Sequence, residues 1–188
     1  MDVELRTGGR VVVGTDGSER ADKAVRWAAD RAGKLALPLL VLYIVPENWA
    51  VGTLPAAAYG EMASAIIAEY QLEFLVRARK RLDEIAQPVR EGSPGLDVEA
   101  VVVEGRPSYV LAEASKDAAL VVVGARGETA PRAVKWLGGV TDDVVNHAHG
   151  PIAVIGDEAR ENPKGPVVVG VDDSPQARAA ARLAFQAA

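Results

Sequence analysis

Val11-Val12-Val13-Gly14-Thr15-Asp16-Gly17-Ser18 and Val167-Val168-Val169-Gly170-Val171-Asp172-Asp173-Ser174 follow one pattern, 156 residues apart. Aligned without a gap, residues 11–32 and 167–188 agree at 11 of 22 positions, among them Ala21/Ala177, Arg26/Arg182 and Ala32/Ala188. Ordinary residue usage would give agreement at roughly a tenth of positions. A repeat of this period means that the chain holds one full module and the opening strand and helix of a second. The expected organisation is a domain at 1–156, a linker at 157–166 rich in turn-forming residues, and an incomplete second domain at 167–188. Function is to be sought in the complete module.

Within that module, apolar β-branched runs alternate with helix-like segments. Val11–Gly14 is short and wholly apolar, as suits a strand buried on both faces. Ser18 is placed to cap a helix carrying Ala21, Ala24, Val25, Ala28 and Ala32 at helical spacing as far as Gly33. Leu39–Val45 is the second strand, and the Pro- and Gly-containing stretch 47–60 reads as a long loop, a class of segment that is often functional. A long helix from Glu61 to about Gln87, stopped by Pro88, turns Ile66, Tyr70, Phe74, Ala78, Leu82 and Ile85 inward. Val98–Val103, a short helix from Pro107, Leu120–Gly124, a helix over Val140–His149 and Ile152–Ile155 complete the order. Strict β-α alternation with apolar strands predicts an α/β fold, an open parallel sheet covered by helices on both faces.

Composition removes several function classes. The net charge of −5 gives no general attraction to nucleic acid or a membrane surface. Arg77, Arg79, Lys80 and Arg81, followed by Asp83 and Glu84, read as a solvated helix face. There is no cysteine, hence no disulfide, thiolate nucleophile or cysteine-ligated zinc. His147 and His149 lie about 200° apart on a helix, so they suit its capping better than a shared metal. No basic stretch is followed by an apolar run at the N-terminus, and nothing approaches about 20 consecutive apolar residues. A soluble cytoplasmic protein with neither nucleic-acid nor membrane partners is expected.

Ligands of open parallel sheets bind beyond the carboxyl ends of the strands, where strand order reverses. Two strand ends here are unusual: Gly14-Thr15-Asp16-Gly17-Ser18, and Gly124-Ala125-Arg126-Gly127 with Gly138-Gly139-Val140-Thr141 opening a later helix. Glycines let the backbone approach a ligand, and a helix N-terminus offers N–H donors and a positive dipole end to phosphate. Four pieces, VVVGTDGSE, LLVLYIVPE, VVVEGRPSYVLAEAS and VVVGARG…LGGVTDDVVNHAHGPIAVI, resemble the universal stress protein family. The resemblance spans residues 9–156 and restarts at Val167. It implies a Rossmann-like or flavodoxin-like sheet of order 3-2-1-4-5, with a site between strands 1 and 4. It implies ATP as ligand, with Mg as an accompanying ion. Asp16, beside Thr15, would lie near adenine, and the Ile44 backbone would hydrogen-bond the base. Gly124 and Gly127 would wrap the ribose and phosphates; Gly138 and the amides of Gly139 and Val140 would meet phosphate, with Thr141 adding a hydroxyl. Arg126 offers positive charge, or is simply an exposed loop arginine. The family pairs as dimers or tandem pseudo-dimers and acts in stress responses, with no dedicated general base among these residues. The chain is therefore expected not to be an enzyme, beyond slow incidental hydrolysis.

The family's ATP motif is Gly, two residues, Gly, nine residues, then Gly followed by Ser or Thr. Here the spacer, Glu128–Leu137, has ten residues, and Gly139 stands where the hydroxyl residue should be. A hydrogen bond to a charged group contributes about 1.5–3 kcal/mol, a ten- to hundredfold effect on affinity. Lys135 in the spacer offers further positive charge, and Trp136 reads as packing. The alternative is therefore a member that has lost nucleotide and serves as a dimerising interaction module. A phospho-acceptor domain needs an acceptor carboxylate at the third strand end and a lysine further on, whereas here the third strand ends Val103-Glu104-Gly105 and the fourth in glycine. A P-loop lacks its Gly-Lys-Ser/Thr, and a dinucleotide fold its G-x-G-x-x-G. An adenylate-using enzyme would carry an SGG-x-DS loop, of which TDGSE is a distant echo. The orphan segment 167–188 is expected to be mobile or to dock elsewhere.

Overall fold

The structure is a computed structural model that describes residues 5–45, 63–127, 137–159 and 165–187. Five strands, β1 (Val11–Thr15), β2 (Leu39–Val45), β3 (Val98–Glu104), β4 (Leu120–Gly124) and β5 (Ile152–Ile155), form one sheet of order β3-β2-β1-β4-β5. All four neighbouring pairs are parallel. The connecting helices are α1 (Glu19–Leu35), α2 (Ala63–Gly92), α3 (Pro107–Ala114) and α4 (Gly139–His147); α5 (Pro175–Ala187) comes after the sheet. The expected α/β architecture and strand order are both present.

Alternation along the strands explains why both faces are covered. Val11 and Val13 of β1 pack with Ala24, Val25 and Ala28 of α1 and with Leu82, Ile85 and Val89 of α2. Val12, between them, points to the other face and meets the cluster of Leu111 and Ala114 from α3 and Val144 from α4. All three valines are fully buried, each contributing about 1.5–3 kcal/mol of hydrophobic stabilisation. β1 is thus the central strand, and the turn at its carboxyl end starts from a firmly held base. Among the described residues, no helix is long and apolar enough to cross a membrane.

Two helix ends differ from expectation. Helix α1 passes Gly33 and ends where Ala36 adopts a left-handed φ of 52°. Ala36 N–H donates to Gly33 and Leu37 N–H to Ala32, a Schellman closure that delivers Leu37 to the core even without glycine at the turn. Helix α2 runs through Pro88 to Gly92 rather than stopping before it. The proline sits in the last turns, and Val89 just beyond it is buried beneath α1, so packing outweighs one lost backbone bond. Of the expected inner face of α2, Ala78, Leu82 and Ile85 are buried and Phe74 is half-buried. The side chains of Ile66 and Tyr70 lie outside the described residues, as does the loop at 47–60.

Residues 167–171, expected to be a strand, join no ladder; the sheet ends at β5.

Candidate functional site

The site begins where β1 stops. Thr15 is buried, and its Oγ1 accepts the Gly17 N–H at 3.1 Å, which tightens the turn around Gly17 at a φ of 78°. Asp16 beside it is exposed, and its Oδ1 accepts the Ser18 N–H at 3.0 Å. Ser18 in turn caps α1, its Oγ accepting from Ala21 N–H at 3.2 Å. The carboxylate of Asp16 is therefore anchored by one oxygen at the mouth of the β1/β4 cleft.

Its other oxygen explains a glycine. A Cβ built on Gly127 would stand 2.8 Å from Asp16 Oδ2, closer than side chains approach. The β1 turn and the loop after β4 thus meet through a carboxylate and a bare Cα. The loop is closed from the opposite side as well: Gly138 N–H donates to the Ala125 carbonyl at 2.9 Å. A Cβ on Gly138 would lie 3.4 Å from the Arg126 Cα. Gly138 is the N-cap of α4, so the positive end of that helix abuts the glycine loop. Gly139 and Val140 are exposed at its first turn, where N–H groups have no intrahelical acceptor. The structure brings Asp16, Gly124, Gly127, Gly138, Gly139 and Val140 together at the carboxyl end of the sheet.

Ile44 is half-buried in β2 and pairs with Val103 of β3. The carbonyl of Val45 accepts from Gly105 N–H on the β3 side, and sides alternate along a strand. The peptide groups of Ile44 therefore face β1, just past Thr15–Tyr43, its last paired position.

Thr141 departs from the expected arrangement. It is buried, and its hydroxyl donates to the Gly124 carbonyl at 2.7 Å. The proton assigned by resemblance to a phosphate is spent fastening α4 to the end of β4. The Gly139 position is open, with nothing within 4 Å of an added Cβ. Arg126 is not a loosely exposed loop arginine: its side chain is mostly covered and forms an ion pair with Asp157. Residues 128–136, which include Lys135 and Trp136, lie outside the described residues.

Several neighbours of the site were not apparent from sequence. Arg20 Nη1 donates to the Gly127 carbonyl at 3.2 Å, and its Nε stands 4.0 Å from Asp157 Oδ1. Lys23 Nζ donates to the Asp157 carbonyl. Arg81 leaves the solvated face that its neighbours Arg77, Arg79 and Lys80 keep, and its Nη2 donates to the Gly17 carbonyl at 2.8 Å. These partners lie 64 or more residues apart, beyond the reach of any local pattern. Of the two histidines, His147 has its ring at the helix end, with Nδ1 2.8 Å from the Asp143 carbonyl; His149 contributes its backbone N–H, which donates to Ser115 Oγ at 2.8 Å. Among the described residues, no group of three or more His, Cys, Asp or Glu is placed to hold a metal.

Comparison with known proteins agrees with this architecture. Residues 9–156 match the model of the universal stress protein family. A universal stress protein of Mycobacterium tuberculosis, Rv1996, is 37% identical over 190 residues, covering 95% of this chain and 58% of its own length. The chain thus spans under two-thirds of that relative. Among solved structures, UspA from Lactobacillus plantarum is 22% identical, with a TM-score of 0.58 over 80% of this chain and 99% of that one. A universal stress protein in complex with cAMP is 23% identical, with a TM-score of 0.54 over 80% and 98%. One from Archaeoglobus fulgidus in complex with dAMP is 21% identical, with a TM-score of 0.52 over 79% and 98%. At these identities the structures speak for the fold alone. Family model and sheet order agree, and the chain belongs to the universal stress protein family.

Proposed function

We propose that this chain binds an adenine nucleotide, ATP, at the carboxyl ends of β1 and β4, and acts in stress response as a nucleotide-linked regulator rather than as a catalyst. The observation that carries the reading is the meeting of Asp16 with the bare Cα of Gly127, with Gly138 closing the same loop from the α4 side. A cleft held open by two glycines and backed by a helix N-terminus suits a flat base, a ribose and a phosphate chain. Asp16 would lie near the adenine and the Ile44 backbone would meet its edge. The amides of Gly139 and Val140 would face phosphate, and Mg would arrive on the phosphate oxygens. That two solved structures of similar fold hold cAMP and dAMP favours an adenine ligand over other nucleotides. A homodimer or a pseudo-dimer is the assembly we expect.

The test is calorimetric titration of ATP into the nucleotide-free full chain, with Asp16→Ala as control. Micromolar binding that is lost in the variant is the expected result. No heat at millimolar ATP would overturn the reading.

One observation favours a second reading, a dimerising interaction module without nucleotide: Thr141 has spent its hydroxyl proton on Gly124, and Gly139 has no hydroxyl to give. Gly139→Ser separates the two. The added side chain meets nothing, so it restores the hydroxyl without steric cost. If ATP binds only to Gly139→Ser, the second reading stands.

A further inference from the structure

Three cations from two distant segments converge on one residue, Asp157, at the rim of the glycine loop: two on its carboxylate and one on its main-chain carbonyl. Arg126, in the loop itself, pairs with Asp157 Oδ2, and Arg20, on the first turn of α1, faces Asp157 Oδ1 at 4.0 Å. Lys23, one helical turn on, holds the Asp157 carbonyl. Arg20 also donates to Gly127, so the group is tied to the loop. The side chains of Arg20, Arg126 and Asp157 are 23%, 18% and 32% exposed, covered enough for their charges to act strongly. Asp157 belongs neither to a strand nor to a helix; it is the second residue after β5, where the chain leaves the module. The group stands beside a loop whose backbone touches the α4 N-terminus.

Resting on the nucleotide reading above, we propose that Arg20, Lys23 and Arg126 form a polyphosphate subsite, and that the Asp157 carboxylate fills it until the terminal phosphates displace it. A phosphate oxygen pair is the same kind of bidentate acceptor as a carboxylate and carries more charge, so the exchange is favourable for a triphosphate. A nucleoside monophosphate, held at α4, does not reach the cluster. The subsite therefore sets preference by phosphate number, and its filling frees the first residues of the segment leading to the second repeat.

The experiment titrates ATP and AMP into the full chain, Asp157→Asn and Asp97→Asn. Asp97 is exposed at the amino end of the sheet and gives the same change in charge far from the cluster. Asp157→Asn is expected to tighten ATP about tenfold, with AMP unchanged and Asp97→Asn without effect. If the unmodified chain binds ATP but Asp157→Asn binds it equally or more weakly, or tightens AMP as much, the subsite is wrong and the nucleotide reading survives. If no nucleotide binds any of the three, the reading fails and the subsite with it. Arg20→Gln keeps the Arg126–Asp157 pair and serves should Asp157→Asn not fold. It is expected to weaken ATP about threefold or more and leave AMP alone, and equal loss of both would overturn the subsite.

Discussion

Residues 11–32 and 167–188 agree at half their positions, yet the molecule uses them in opposite ways. In the first, Val11, Val12 and Val13 are fully buried at the centre of the sheet; in the second, Val168 is 88% exposed and Val171 69%. Gly14 lies so close to α3 that a Cβ would stand 3.0 Å from Leu111 Cδ1, whereas Gly170 has nothing within 4 Å. The turns after these two segments are nevertheless alike. Asp172 Oδ1 accepts the Ser174 N–H at 2.9 Å as Asp16 does from Ser18, and Ser174 caps α5 by accepting from Ala177 at 3.1 Å. Asp-x-Ser is a local instruction, satisfied within a few residues. A strand is not, because its hydrogen bonds and its burial come from neighbours far along the chain.

The comparison breaks most visibly at the valines. Val12→Ala should lower stability by about 2 kcal/mol through a cavity between the sheet and α3, while Val168→Ala should leave the urea midpoint unmoved. Equal effects would mean that the second strand is buried in solution. Gly127→Ala comes next. Its methyl must displace Asp16, costing about 1 kcal/mol and weakening ATP about tenfold by calorimetry, with no counterpart in the second repeat. Ser18→Ala should cost about 1 kcal/mol of global stability, since α1 is part of the core. Ser174→Ala should reduce only the helicity of α5, read from amide chemical shifts.

The smallest effect is one of pH. The Ser174 hydroxyl, and then its N–H, hold the Asp172 carboxyl below its usual 3.8. A depressed folded value means that the contribution is complete above the ordinary carboxylate range and is lost as pH falls through the lowered one. The shifts of residues 174–177 should therefore move only on acidification below about pH 4, while those of β1 stay fixed. Movement near neutrality would show that another group governs the cap.

Much of the fold was legible because its signals are short-range. β2 and β5 are bounded by proline or glycine, β4 ends in glycine, and all three lie where their apolar runs predict. Ser18 caps α1 as its position suggests. Helix ends were less legible where packing overruled local preference, as at Ala36 and Pro88. In the site, the glycines and Asp16 announced themselves, since tight turns demand particular residues. The direction of a hydroxyl does not, so Thr141, suited by type to a phosphate, turned out to hold Gly124.

The amino-acid sequence by itself determined the alternation of strands and helices, the capped turn written twice, and the glycines that open the cleft. Each of these depends on the conformational preferences of a few adjacent residues. Only the tertiary structure decided which copy of the repeat became a central strand, and that Arg20, Lys23 and Arg126 would gather around Asp157. Burial and charge pairing act between segments that the folded sheet brings together, and separation along the chain carries no record of that distance.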